Sequence, residues 1–127
     1  MKKIVVTAVL AVVLLPLILS ACDNIQVGYA GNNIGNHING SYQLFSGTKT
    51  KNIGAKAGDT IEFQYSSKVE DGNLTMKILD ADGTVQEILT ANTTGTADLQ
   101  APDDETYQLV IKGSHTKGNF NVSWDIN

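Results

Sequence analysis

Few residues in this 127-residue chain could carry covalent or acid–base chemistry. There is one cysteine, Cys22, and the two histidines, His37 and His115, lie 78 positions apart. A nucleophilic enzyme needs a serine or cysteine within reach of a base that a third group orients, and the best candidate base is His115 in the stretch GSHTKG. Two isolated histidines also lack the ligand spacing of a zinc site. The sequence therefore predicts a non-catalytic protein.

The acidic residues offer oxygen ligands for calcium. Asp80 and Asp82 lie in the stretch Asp-Ala-Asp-Gly, and Asp103 and Asp104 stand together further along the chain. The first of these stretches lacks the leading aspartate and the closing glutamate of an EF-hand loop. Aspartates in such places also form turns by accepting hydrogen bonds from nearby backbone. We expect turns, with a structural calcium as the alternative and no other cofactor.

The cysteine stands at the end of an apolar leader. Lys2 and Lys3 precede 18 uncharged residues, 4–21, and the sequence becomes polar at Cys22. A cationic start, an apolar run and small residues before a cleavage point form a secretory signal. The boundary resembles the lipobox of bacterial lipoproteins, carried here by Leu19, Ser20, Ala21 and Cys22. The resemblance implies a signal peptide over residues 1–21, cleavage before Cys22 and a diacylglycerol thioether on its sulfur.

Two other interpretations of the leader remain open. Eighteen uncharged residues are just long enough to span a bilayer as an uncleaved helix, and Pro16 is tolerated in such a helix. Cys22 would otherwise be an unpaired exported thiol. Stable lipid attachment takes two acyl chains, which a diacylglyceryl cysteine supplies. We therefore expect the bilayer to be a partner, with the domain anchored on the extracytoplasmic side of a bacterial membrane.

The charge of the exported part limits its partners. Removal of Lys2 and Lys3 from nine lysines leaves seven against 13 acidic residues, a net charge of 7 − 13 = −6, and the chain has no arginine. Such a domain lacks the basic surface that binds nucleic-acid phosphates. Anionic lipid should also repel it, so the acyl chains must hold it at the membrane. Nucleic acid is not expected as a partner.

The segment over residues 22–40 is expected to be a flexible tether behind the lipidated cysteine. Asparagine or glycine fills half of the 18 positions from Asp23 to Gly40. Such composition buries little apolar surface, and 18 flexible residues reach roughly 20–25 Å. The alternative is that apolar residues of the segment add an edge strand or dock on the domain: Ile25, Val27, Tyr29, Ile34 and Ile38.

Residues 41–127 alternate between apolar and polar side chains, with turn residues about every ten positions. This pattern predicts an all-β, antiparallel β-sandwich of about eight strands. Gly47 is the expected turn of the first pair, Asp80 to Gly83 form a hairpin turn, and His115 lies at the tip of the last hairpin. The strands are SYQLFSG, TKTKNIGAK, DTIEFQYSS, NLTMKIL, TVQEILT, TADLQA, TYQLVIK and NFNVSWDIN.

Four stretches of this part resemble known domains. AGDTIEF, GNLTMKILDADGT, APDDETYQLVIKG and KGNFNVSW, within residues 57–125, are similar to the jelly-roll β-sandwiches of bacterial pre-peptidase C-terminal domains and of small lipoproteins from Gram-positive bacteria. The resemblance implies a jelly-roll-like fold and a non-catalytic accessory or binding module.

The function expected from these features is display of a non-catalytic interaction domain that binds an envelope protein. A carbohydrate- or cell-wall-binding module is the first alternative, and an accessory subunit of an envelope enzyme or transporter is the second. Trp124 alternates in phase with core residues, so Tyr42 and Tyr29 are the candidates for exposed, ligand-binding rings. An exposed aromatic row would indicate sugar binding, and an apolar patch with a polar rim would indicate a protein partner.

Overall fold

The computed structural model describes residues 24–127, so the predicted signal peptide, the lipobox and Cys22 lie outside the described residues. Over this range the chain forms seven β-strands, and no described helix is long and apolar enough to cross a membrane. The strands are β1 Ile25–Val27, β2 Ala30–Ile34, β3 His37–Ala55, β4 Thr60–Leu79, β5 Val85–Leu89, β6 Thr94–Gln100 and β7 Glu105–Ile126. The predicted all-β class is confirmed.

Three long strands organise the fold. β3, β4 and β7 contain 19, 20 and 22 residues, and β7 lies between the other two with antiparallel pairing on both sides. The short strands extend the outer sides of this trio: β1 and β2 pair with β3, whereas β5 and β6 pair with β4. Every pairing among the described strands is antiparallel, as predicted.

Each long strand is irregular near its middle. The pairing shifts within residues 42–47 of β3, 69–73 of β4 and 113–118 of β7, which lie side by side in the sheet. At each irregularity the buried positions change between even and odd numbers. An extra residue bends a strand, so the sheet folds over on itself here with one face kept inside. We call this bend the corner.

Two glycines allow the corner to form. Gly72 has a φ of +72° and Gly118 a φ of +144°, in a region that side chains rarely adopt. A Cβ at Gly72 would also overlap the carbonyl of His115, and one at Gly118 would overlap the carbonyl of Lys68. The backbones therefore approach each other too closely for any other residue.

The corner divides the sheet into two half-sheets that pack as a sandwich. The first half-sheet contains β2, residues 37–42, residues 118–126, residues 60–69 and β6. The second contains the remaining parts of the three long strands and β5. Between them lies the core: Ile38, Tyr42, Phe45, Ile53, Ala55, Ile61, Phe63, Leu74, Met76, Ile78, Leu89, Ala101, Tyr107, Leu109, Ile111, Phe120, Val122 and Trp124. The inward placement predicted for Trp124 is confirmed.

The corner corrects two predicted turns. Gly47 does not end a strand, because SYQLFSG and TKTKNIGAK are consecutive parts of β3. GSHTKG is not a hairpin tip, since the strand of Tyr107 and the strand of Trp124 are both parts of β7. His115 lies at the irregularity with a φ of 49°. At a bulge the hydrogen-bond ladder continues through residues whose composition is typical of a turn. The eight predicted strands therefore correspond to fewer, longer strands in the structure.

The structure also corrects the described part of the flexible tether that was predicted over residues 22–40. β1 pairs with residues 44–46 of β3, and β2 pairs with residues 37–41. The ring of Tyr29, between the two strands, packs against the core. Strand pairing and burial of the Tyr29 ring offset the conformational entropy that this asparagine- and glycine-rich segment loses when it becomes ordered. The alternative of added edge strands is the one observed.

The loops at the end opposite the corner close the sandwich. This end, which we call the open end, contains the loops at residues 56–59, 80–84 and 101–104. Backbone hydrogen bonds join two of the loops, from Gly58 N to Ala101 O and from Ala101 N to Asp59 O, each 2.8 Å long. The corner and the open end are the two poles of the domain.

Candidate functional site

The outer side of the first half-sheet carries two rows of uncharged side chains, which we call the amide face. Direct cross-strand pairing places the members of each row next to one another. One row is Asn32, Asn39, Asn121, Ser66 and Thr94, and the next is Ile34, His37, Ser123, Gln64 and Thr96. Neither row contains an acid or a lysine, in a chain with 22 such residues.

Hydrogen bonds hold part of the amide face in place. His37 Nε2 lies 2.6 Å from Asn121 Oδ1, and Asn39 Oδ1 accepts from Asn32 N at 2.9 Å. A depression of about 350 Å³ lies over the half of the face farther from β2, lined partly by Gln64 and Ser123. Amides and hydroxyls both donate and accept hydrogen bonds. The two rows can therefore hydrogen-bond a ligand rich in hydroxyl or amide groups, and the next row on the same side is acidic: Glu62, Asp98 and Asp125.

The outer side of the second half-sheet has a different chemistry, and we call it the lysine-aliphatic face. Three paired rows form it: Thr48, Lys112 and Thr75; Thr50, Val110, Lys77 and Ile88; Asn52, Gln108, Leu79 and Val85. Ile88 is 62% exposed and Val85 44%. These rows contain two lysines and no carboxylate. The face can bury aliphatic surface while its ammonium groups meet anionic groups.

The structure corrects the expected exposure of the two candidate rings. Tyr42 is buried, 5% exposed, and Tyr29 is half-buried against the core. The alternation in β3 continues unbroken from Ile38 through Tyr42, and both therefore point inward. No aromatic side chain between residues 24 and 127 is exposed. Tyr42 therefore belongs to the interior, and Tyr29 packs against its edge.

The two rings belong to an aromatic cluster beside the corner. Phe45 lies 5.3 Å from Tyr42 and 5.9 Å from Tyr29 between ring centroids, and Phe120 lies 6.1 Å from Tyr42. Lys49 Nζ covers the outer side, 4.8 Å from the centroid of Tyr29. Burial raises the pKa of Tyr42 to about 12 and also raises the pKa of Tyr29. The cluster is therefore a stabilising element of the domain.

The four acids predicted as turn formers or calcium ligands lie at the open end. Asp80 Oδ1 accepts hydrogen bonds from Asp82 N and Thr84 N, both 2.9 Å long. Asp104 Oδ1 accepts from Ala57 N at 2.8 Å. The side chains of Asp82 and Asp103 are exposed. Asp80 thus accepts the local backbone hydrogen bonds expected of a turn residue, whereas Asp104 joins its loop to the loop at residues 56–59.

An open cleft of about 730 Å³ lies among these loops, lined partly by Lys56, Asp103 and Asp104. Within residues 24–127 no group of three or more histidine, cysteine or acidic side chains is arranged to hold a metal ion. The histidines do not meet either, because His37 pairs with Ser123 in the first half-sheet and His115 lies at the corner. The structure therefore does not bring the two histidines into one site.

Most residues of the two outer faces were not singled out by the sequence; His37 and Ile34 were considered for other roles. Alternation gives the side of the sheet on which each residue lies, but it does not give the register that aligns Asn39 with Asn121 or Lys77 with Ile88. The available signal was the composition of outward positions, which are amides and hydroxyls in one set and threonines, lysines and aliphatics in the other. Only the register of the paired strands places these residues side by side and so forms the two faces.

Neither family models nor curated protein sequences give a match to this chain. Among solved structures, it is similar to the periplasmic lysozyme inhibitor PliG of Aeromonas hydrophila, which inhibits g-type lysozyme, with 14% identity, a TM-score of 0.47 and coverage of 77% of this chain and 89% of that chain. A CBM4 structure has 15% identity, a TM-score of 0.44 and coverage of 80% and 78%. A structure of accessory secretory proteins 1, 2 and 3 of Streptococcus pneumoniae has 10% identity, a TM-score of 0.38 and coverage of 77% and 86%. At TM-scores below 0.5, these similarities support no statement about the function of this chain.

Proposed function

We propose that this chain is an exported bacterial lipoprotein, anchored through Cys22, whose β-sandwich is a non-catalytic module that binds a protein partner at the cell envelope. The lysine-aliphatic face is the observation that carries the proposal. It combines exposed Ile88 and Val85 with Lys77 and Lys112, and its three rows contain no carboxylate. The partner it fits presents an aliphatic patch bordered by acidic side chains.

Physical chemistry favours this use of the face. An exposed isoleucine gains about 25 cal/mol for each Å² of apolar surface that a partner covers. Lys77 lies between Val110 and Ile88 in the same row, so its aliphatic stem extends the apolar surface and its ammonium group reaches the rim. Ammonium groups on an otherwise acidic protein steer a partner of opposite charge to this side.

Site-specific photocross-linking in the native cells tests the face. A photoreactive phenylalanine at position 88 should capture one reproducible protein, whereas the same group at position 96, on the amide face, should not. The variant Ile88→Asp should lose that product when the cross-linker is at position 110, and Thr96→Asp, the matched control on the other face, should keep it. Equal capture at positions 88 and 96 would contradict the assignment.

The anchor is supported by the lipobox at the end of the apolar run and is tested separately. Cys22→Ala should leave an unprocessed precursor without lipid, because the acceptor thiol is gone. Asp23→Ala keeps the four lipobox residues and should be processed normally. The mass of the purified protein and the incorporation of labelled fatty acid measure both outcomes, and mature lipidated protein from Cys22→Ala would refute the anchor.

A second candidate function is binding of an uncharged wall polysaccharide on the amide face. The observation that favours it is the pair of uncharged rows with the depression beside Gln64, Asn121 and Ser123. Their amides and hydroxyls complement sugar hydroxyls. Sedimentation with isolated wall glycan tests it: Gln64→Ala should weaken binding, and Thr75→Ala on the opposite outer face should not. Equal sedimentation of both variants with the parent would exclude this face.

A further inference from the structure

We propose that the β1 side of the corner lies on the membrane surface and that Ile25 and Val27 contact the bilayer beside the anchor. This inference rests on the proposed lipidation of Cys22. It assigns a fixed orientation to the domain, in place of the free movement that a flexible tether would give.

The spacing between the anchor and the first strand carries the argument. β1 begins at Ile25, so only Asp23 and Asn24 separate it from Cys22. Three residues span at most roughly 11 Å when fully extended. The headgroup layer of one leaflet takes up roughly 5–7 Å of that distance. β1 is therefore held at the headgroup surface and cannot move far from it.

β1 brings two exposed aliphatic side chains to the membrane. Ile25 is 41% exposed and Val27 46%, on a strand of three residues. Val27 pairs with Leu44 of β3, which is half-buried and lies on the same side of the sheet. Among the described strands β1 pairs only with β3, so its other edge is open. Aliphatic side chains at the headgroup boundary gain from burial in the outer acyl region.

The distribution of charge favours the same orientation. At the corner and directly before it on β4, Lys68 and Lys117 balance Glu70 and Asp71. The loops of the open end, at the opposite pole, carry five acids and one lysine: Asp59, Asp80, Asp82, Asp103, Asp104 and Lys56. Glu105 begins β7 directly beside them. Anionic lipid repels the acidic open end, whereas it does not repel the region of the corner, where positive and negative charges are equal in number. With the corner on the membrane, both outer faces remain accessible to partners.

Fluorescence quenching in vesicles tests the orientation on the full-length lipidated protein. Because lipidation blocks the thiol of Cys22, a single new cysteine can be labelled with an environment-sensitive dye, either Val27→Cys at β1 or Asp82→Cys at the open end. The vesicles contain phosphatidylethanolamine, phosphatidylglycerol and a lipid with a spin label just below the headgroup. We expect quenching at position 27 to exceed that at position 82 at least about threefold.

The outcomes separate the orientation from the anchor. Equal quenching at both positions, in a sample whose mass shows lipid on Cys22, would overturn the orientation and leave the proposed function intact. A mass without lipid would overturn the anchor and this inference with it. Amide hydrogen exchange on the unaltered sequence gives an independent measurement, since residues 25–27 should exchange more slowly in vesicles than in detergent and residues 80–84 should not change.

Discussion

The ring of Tyr29 stacks on the ring of Tyr42, with centroids 6.0 Å apart and planes inclined by 11°. Tyr29 lies between β1 and β2, and Tyr42 lies on β3, so the stack fastens the N-terminal segment to the sandwich. Gly40 provides the space, because a Cβ there would lie 2.5 Å from the hydroxyl oxygen of Tyr29. The segment is part of the folded domain through this contact, and the proposed membrane orientation depends on it.

Replacing Tyr29 with alanine should release β1 and β2. We expect the free energy of unfolding to fall by about 1–3 kcal/mol, since the change removes a half-buried ring and its aromatic contacts. Amide hydrogen exchange should accelerate at residues 25–34 more than in β7. Tyr29→Phe keeps the ring and serves as the control, with protection close to that of the parent. Unchanged protection of β1 and β2 in Tyr29→Ala would show that strand pairing alone holds the segment.

Gly118 should not tolerate a side chain. Gly118→Ala forces an alanine into a φ of +144° and against the carbonyl of Lys68, and we expect a loss of about 2 kcal/mol or more. Gly54 is the matched control, because it lies in β3 with nothing within 4 Å of an added Cβ, so Gly54→Ala should stay within about 1 kcal/mol of the parent. Urea unfolding followed by far-ultraviolet circular dichroism measures both. Equal stability of the two variants would refute the close approach at the corner.

The class of the fold was predictable from sequence because alternation reports directly which side chains are buried. Ile61, Phe63, Leu109 and Trp124 all lie in the core that the alternation predicts. The strand boundaries were less predictable. Gly47 and the stretch around His115 have the composition of turns, but a bulge uses the same residues while the ladder continues.

The candidate faces depend on long-range pairing that local sequence does not contain. Asn39 and Asn121 become neighbours only through the register of β3 against β7. Tyr42 was expected on the surface but is buried. The direction of its side chain depends on where the buried positions of β3 change from even to odd numbers, and this change comes after Tyr42, between Tyr42 and Phe45. Composition likewise predicted a flexible tether over residues 22–40, whereas the docking of Tyr29 depends on space left by Gly40 on a neighbouring strand.

Asp80 should stabilise the β4–β5 turn through its side chain. Its Oδ1 atom accepts two backbone hydrogen bonds, from Asp82 and Thr84, and its Oδ2 atom accepts one from Gln86 Nε2 at 3.0 Å. Asp80→Ala should lower the free energy of unfolding by about 1–2 kcal/mol, and Asp80→Asn, which retains an Oδ1 acceptor, should lower it less. Asp82→Ala is the exposed control in the same turn. A rise of the unfolding midpoint on adding calcium chloride, lost in Asp80→Ala, would instead identify the acid as a metal ligand.

Tyr42 should make the stability of the protein depend on alkaline pH. Burial raises its pKa to about 12 in the folded chain, whereas an unfolded tyrosine ionises near pH 10. The folded state therefore holds this proton more tightly, so the contribution of Tyr42 to stability is complete below about pH 10 and is lost as the pH rises towards about 12. Urea midpoints measured between about pH 8 and pH 11 should fall with pH in the parent and fall less in Tyr42→Phe.

The phenylalanine variant also tests the interior environment of the hydroxyl. The Tyr42 hydroxyl and Thr116 Oγ1 are buried, and by distance and angle neither has a hydrogen-bond partner within the described part of the chain, although the neighbouring Thr116 hydroxyl partly lowers the pKa of Tyr42. Removal of an unpaired buried hydroxyl costs little, so near pH 8 Tyr42→Phe should be within about 1 kcal/mol of the parent or slightly more stable. Lysine deprotonation acts on both proteins alike and cancels in the comparison. A variant that loses more than about 2 kcal/mol near pH 8 would mean that the hydroxyl is paired, and equal pH slopes would mean that Tyr42 ionises in the native state as readily as in the unfolded one.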